Sequence, residues 1–377
     1  MISQTKIAFL WLIPLIFIFN GIVSQRQSEF NEIKHTVLIK HPGEKYAVKT
    51  TLTEVQNEEG LPIEYYMDVK SVICLAEVCK VIPVTLYWNN IGGYQNYRLQ
   101  KGTTLEKYEA DLFEPNDYKK LHSILENQNS PFKDIFIEDI WTVPSTIGDQ
   151  GIDAVSGATI LQLDDKDTVP GAALTCYTLW HWANGNIVSV IKKKTGESTS
   201  IEQLKMFISN KNEVYFDIAL SVLKEKNNYY KPFVEAIIQR AANEDNLLRE
   251  TFDYLENATP DIYLQAILDL FLQGAKKQKL AAVRSLNNSE VNISKTYLDS
   301  LSKELNRLKS FQEVTALLEL MQNKNPNSSV VNQNVVPLLD SNFLIARRAY
   351  WFLTNQKLDN SQKERISNFY KIHKQKL

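Results

Sequence analysis

An α+β domain built on an antiparallel sheet, followed by an all-α region, is the fold class that this sequence predicts. Three observations predict it. Between residues 35 and 100, short β-branched and aromatic runs recur, separated by Pro-Gly and Gly-Gly turns. Between residues 104 and 127 the spacing of apolar residues changes from two to three or four. From residue 201 onward, apolar residues fall at helical intervals in segment after segment, with polar or Pro-containing breaks between them. The expected organisation is a leader over residues 1–24, an α+β domain over 30–192 and a helical-repeat-like domain over 200–377.

The leader reads as an export signal. Lys6 supplies a positive start, residues 7–19 form an apolar core interrupted by Pro14, and the small and polar residues 20–24 suit cleavage before Gln25. The apolar core is about thirteen residues long, against roughly 20 for a membrane-spanning helix. The expected location is therefore the periplasm or cell envelope, with an uncleaved N-terminal membrane anchor as the alternative.

The strand signals come in order. Residues 35–40 are a β-branched run ended by Pro42-Gly43, and residues 45–52 partly alternate. Residues 62–69 continue toward Ile73, and residues 81–88 answer them across a turn that contains Cys74 and Cys79. After the Asn89-Asn90-Ile91-Gly92-Gly93 turn, residues 94–99 form one more strand. Consecutive strands with short connections predict an antiparallel meander. In an oxidising compartment Cys74 and Cys79 are expected to pair as a disulfide. Their spacing differs from the Cys-x-x-Cys of redox-active pairs. The third cysteine, Cys176, lies in the apolar run 172–182 and is expected to be a buried free thiol.

A helix is predicted around residues 116–125, with Asn116 as its cap and Tyr118, Leu121, Ile124 and Leu125 as its buried face. His122 lies off that face and is expected at the surface. Ser130-Pro131 closes the helix, and a second helical segment covers 172–182. Beyond residue 201, helices are expected over 247–255, 262–272, 279–286, 294–308, 311–321 and 343–353, with breaks at Pro260, Asn287-Asn288, Asn325-Pro326 and Pro337. Helix pairs joined by polar breaks resemble an α-solenoid of the HEAT or tetratricopeptide kind, whose long lateral surface suits a protein partner.

The composition excludes several classes of function. Lysine and arginine number 42 and the acidic residues 44, giving a net charge of −2 with no basic block, which argues against a nucleic-acid partner. The five histidines are scattered without a Cys or His at ligand spacing, so no metal site is predicted. Gly-x-Ser-x-Gly is absent, which removes the main support for Ser156 as a hydrolase nucleophile.

One stretch carries chemistry. Asp153-Ala154-Val155-Ser156-Gly157-Ala158-Thr159 presents a threonine hydroxyl after a Ser-Gly-Ala turn, with a carboxylate six residues upstream. Its five specified positions match by chance about once in a thousand chains of this length. Gly157 permits close backbone approach and positive φ, Ala158 leaves room, and successive amides of such a turn cradle phosphate oxygens. The string resembles the acceptor motif Asp-x-x-Ser-Gly-Ala-Thr of FMN-binding domains, as in sodium-pumping quinone reductases and related membrane electron-transport complexes. The resemblance implies an FMN joined through a phosphoester to Thr159, with Ser156, Gly157 and Ala158 at the phosphate. Asp153 would belong to the signal read by a separate flavin transferase.

This sequence departs from the family after the acceptor. Members run on through Ile-Thr-Ser into a helix, whereas Ile160-Leu161-Gln162-Leu163 and a polar run to Thr168 follow here. Trp88, Tyr94, Trp141, Trp180 and Trp182 are candidate ring neighbours that serve equally well as core. The resemblance implies an exported electron-transfer protein with a protein redox partner or envelope complex, and possible membrane association. The alternative is a non-catalytic envelope scaffold that keeps the fold without a cofactor. No catalytic residue is predicted in either case.

Overall fold

The computed structural model describes residues 30–73, 80–107, 110–141 and 166–377. Five strands form one antiparallel sheet in sequence order: β1 (Asn31–Ile39), β2 (Val48–Gln56), β3 (Pro62–Lys70), β4 (Pro83–Asn89) and β5 (Tyr94–Leu99). The predicted meander is thus the observed topology. Alternation decides which face is buried. Val37 and Ile39 of β1, Leu52 of β2, Tyr65, Met67 and Val69 of β3, and Val84, Leu86 and Trp88 of β4 form the inner face of the sheet core.

Two helices cover that face. α1 (Pro115–Glu126) packs along β5, burying Leu121, Ile124 and Leu125. It starts one residue before the predicted cap. Pro115 has no N–H to lose and fits the first turn, so Glu114 becomes the N-cap and shares a reciprocal capping box with Asp117. A 3₁₀ turn (Pro131–Asp134) and the short α2 (Ile137–Trp141) lead to the central helix α3 (Ala173–Asn184). α3 is buried on every side between α1, α2 and β3, as expected of a helix without a polar face.

The helical part follows as α4 (Ile187–Ser198), α5 (Ile201–Ile208), α6 (Glu213–Glu225), α7 (Lys231–Ala241), α8 (Leu248–Leu255), α9 (Pro260–Gln273), α10 (Lys276–Asn288), α11 (Lys295–Ser302), α12 (Phe311–Lys324), α13 (Ser329–Val335), α14 (Phe343–Thr354) and α15 (Asn360–His373). The even-numbered helices from α4 to α14 pack each on the next in one row. The odd-numbered helices lie against them, with α7 touching both α5 and α9, and α11 touching α13. The helices of this all-α region thus lie in two layers. The continuous helix expected over 294–308 is divided: α11 ends at Ser302 and a 3₁₀ turn (Lys303–Arg307) follows.

The two parts have separate hydrophobic cores, yet they share a polar seam. The buried Glu54 carboxylate accepts from His35 at 2.8 Å, Gln56 at 2.6 Å, and Tyr65 and Ser198 at 3.1 Å each. Thr195 Oγ1 of α4 donates to the Asn90 carbonyl at 2.6 Å, and Tyr215 of α6 donates to Asn90 Oδ1 at 2.8 Å. α4 therefore belongs to both halves, packing on β1 and β3 as well as on α6.

Candidate functional site

The acceptor string Asp153, Ser156, Gly157, Ala158 and Thr159 lies outside the described residues, as do Cys74 and Cys79. Their flanks are described, and they meet on α3. The Ile73 N–H, immediately before the Cys74 segment, donates to Thr178 Oγ1 at 3.3 Å. α2, which ends at Trp141, packs on α3 and sets Glu138 and Asp139 near the Tyr177 hydroxyl. On the far side of the acceptor string, the Val169 N–H donates to Cys176 Sγ at 3.4 Å.

Several polar groups of α3 are wired to its surroundings. Trp180 Nε1 donates to the Asn127 carbonyl at 2.8 Å, Asn184 Nδ2 to the Leu125 carbonyl at 2.9 Å, and Trp88 Nε1 to the Ala183 carbonyl at 2.7 Å. His41 Nε2, from the β1–β2 loop, bonds the Thr178 carbonyl at 3.0 Å. Against this background three buried atoms have no hydrogen-bond partner among the described residues: Tyr177 Oη, His181 Nε2 and Trp182 Nε1. Leaving a buried polar atom unpaired costs about 1–3 kcal/mol. Tyr229, Thr251, Thr315 and Asn332 of the helical part carry one such atom each, and α3 carries three within six residues.

The rings of these residues gather round His41. Ring centroids lie 4.7 Å apart for His41 and Trp182, 5.7 Å for His41 and His181, and 6.4 Å for His41 and Tyr177; Tyr177 and His181 are 4.4 Å apart. Burial lowers the His41 pKa to about 4, partly offset by its bond to Thr178. Burial, followed by the neighbouring His41, lowers His181 to about 4 as well. Both imidazoles are therefore neutral at pH 7. Since His181 is bonded to the Phe132 backbone, its unpartnered Nε2 offers a lone pair. The Tyr177 hydroxyl is pushed up to about 12, mainly by burial and then by Glu138 and Asp139, so it stays protonated.

The structure sorts the other sequence candidates. Trp88 and Trp180 are core residues with satisfied indoles. Tyr94 bonds His122 Nδ1 at 3.0 Å, and His122, off the buried face and about 35% exposed, also reaches Glu126 at 3.3 Å. Gly92-Gly93 is a packed turn: Gly92 has φ +83°, and a Cβ there would lie 2.9 Å from Val188 Cγ1. Cys176 is a free, buried thiol whose pKa burial pushes up to about 11, which keeps it inert at neutral pH. Among the described residues there is no group of three metal-ligating side chains, and no helix is long and apolar enough to cross a membrane.

His41 was missed by sequence reasoning, because its Pro-Gly neighbours signal only a turn. The polar tips of Tyr177, His181 and Trp182 were present in the apolar run 172–182, and their spacing gave no sign that they go unpaired. No protein-family model matches the chain, and no curated protein or solved structure matches it.

Proposed function

We propose that the chain is an exported electron carrier that holds FMN through a phosphoester at Thr159, while its helical part docks a protein redox partner. The Asp153–Thr159 acceptor string carries this reading. The unpaired polar tips of α3 support it. Trp182 offers an N–H, Tyr177 a hydroxyl and His181 an acceptor nitrogen, the kinds of partner that the carbonyl oxygens and ring nitrogens of an isoalloxazine take. FMN, when bound, supplies reversible electron uptake, and the chain supplies binding, orientation and shielding from water. The row of even-numbered helices supports a docking role. A groove of about 660 Å³ opens there between α4, α6 and α8, lined by charged residues that include Lys192, Asp217, Lys224, Glu250 and Asp253.

A second reading, a cofactor-free envelope scaffold, is favoured by two observations. The family's Ile-Thr-Ser continuation is replaced after Thr159. The rings around His41 already pack against one another at 4.4–6.4 Å. Co-expression with an active flavin transferase separates the readings. A denatured gel band of wild type is expected to fluoresce under ultraviolet light, and Thr159→Ala is expected to be dark. A dark wild-type band beside a flavinylated control protein would leave the scaffold reading in possession.

A further inference from the structure

The β1–β2 loop closes over the α3 cluster through one side chain. His41 Nε2 meets the Thr178 carbonyl at 3.0 Å, and His41 Nδ1 meets the Gly43 N–H at 3.0 Å. A carbonyl only accepts and an amide N–H only donates, so both bonds coexist only in the neutral Nε2–H tautomer. Gly43 is also a packing point. A Cβ on it would lie 2.9 Å from the terminal carbons of both Ile73 and Ile137. The loop, the segment after β3 and α2 thus converge on the position that the His41–Gly43 bond maintains.

We propose that His41 is an acid-released latch: a proton on Nδ1 removes the acceptor that Gly43 needs and frees residues 40–47 from α3, opening a path to Tyr177, His181 and Trp182. The protonated ring would present an N–H to another N–H, at a position where burial already opposes charge. The charged and titratable groups on the elements around it are few. The loop itself carries Lys40, Glu44, Lys45 and Tyr46; the 3₁₀ turn carries Lys133 and Asp134; α2 carries Glu138 and Asp139; α3 carries Cys176, Tyr177 and His181; residues 71–73 carry none. Burial opposes the proton and the bond to the Thr178 carbonyl favours it more weakly, which sets release well below neutral pH. The inference does not depend on a flavin being bound.

The test is amide exchange of the full-length protein between pH 7.5 and 4, corrected for intrinsic rates, alongside the NMR titration of the histidine rings. Protection of residues 40–47 is expected to fall by up to about tenfold per pH unit between about pH 6.5, where a released histidine charges, and about pH 4, where the latched ring charges. Protection of β2 is expected to hold over the same range. In His41→Asn, the shorter side chain still offers an oxygen to the N–H two residues on. It cannot charge, so its loop is expected to stay protected at pH 4. A wild-type loop equally protected at both ends of the range would overturn the proposal. So would a fall of the same size in His41→Asn, or loss of β2 protection in step with the loop. If the variant does not fold, a His41 ring that charges with no change in loop exchange is the overturning result.

Discussion

His41 holds its proton on Nε2 because the group facing that nitrogen is a carbonyl, and it stays neutral because its surroundings exclude water. That has a consequence for stability. In the unfolded chain a histidine titrates near 6.5, whereas His41 in the folded chain titrates near 4. Below pH 6.5 the unfolded state binds the extra proton, so this contribution is fully present above about pH 7 and is lost as pH falls toward 4. At one pKa unit per 1.36 kcal/mol, the loss by pH 4.5 is about 2–3 kcal/mol. Urea denaturation at pH 7 and 4.5 measures it, and His41→Asn is expected to be less pH-sensitive by about that amount. None of this was legible in the residues. His41 sits beside a Pro-Gly turn signal, and its partner Thr178 is 137 residues away.

At the scale of elements, the signals in the chain were physical and local, and most were obeyed. Strand alternation, the Gly92-Gly93 turn and the apolar run that became α3 all appear where the side chains require them. The start of α1 shifted because a proline dictates a first turn more strongly than an asparagine invites a cap. The Gly92 turn illustrates how an element is fixed twice. Its positive φ is set locally, and its closeness to Val188 is set by α4 packing above it. Gly92→Ala meets both obstacles, and a cost of about 2 kcal/mol or more is expected from the left-handed backbone and the contact together. A thermal melt followed by tryptophan fluorescence would show it; an unchanged midpoint would mean that α4 yields.

Over the whole molecule, the sheet and the helical part are joined by the hydrogen bonds around Glu54, Asn90 and Thr195 in addition to apolar contact. Glu54→Ala strips His35, Gln56, Tyr65 and Ser198 of their common acceptor, and a buried donor left unpaired costs about 1–3 kcal/mol. Because the network spans the seam, the near-ultraviolet signal of the sheet aromatics and the far-ultraviolet helix signal are expected to shift together in a urea titration. Separate shifts would show that the seam does not couple the two parts. The all-α character of the second part was legible in its spacing, which does not say which layer each helix joins.

The sequence by itself determined the order and type of the elements, through side-chain period, proline and glycine placement and capping residues, all of which act within a few positions. It also supplied the acceptor string ending at Thr159, which carries the chemical case for a flavin. Only the tertiary structure decided that the flanks of that string, the Cys74 flank and the β1–β2 loop converge on α3, and that three of its polar atoms go unpaired there. The physical reason is one of range. Periodicity and caps are short-range preferences, whereas burial, a fixed tautomer and an unmet hydrogen bond exist only when distant segments have been brought together and water has been excluded.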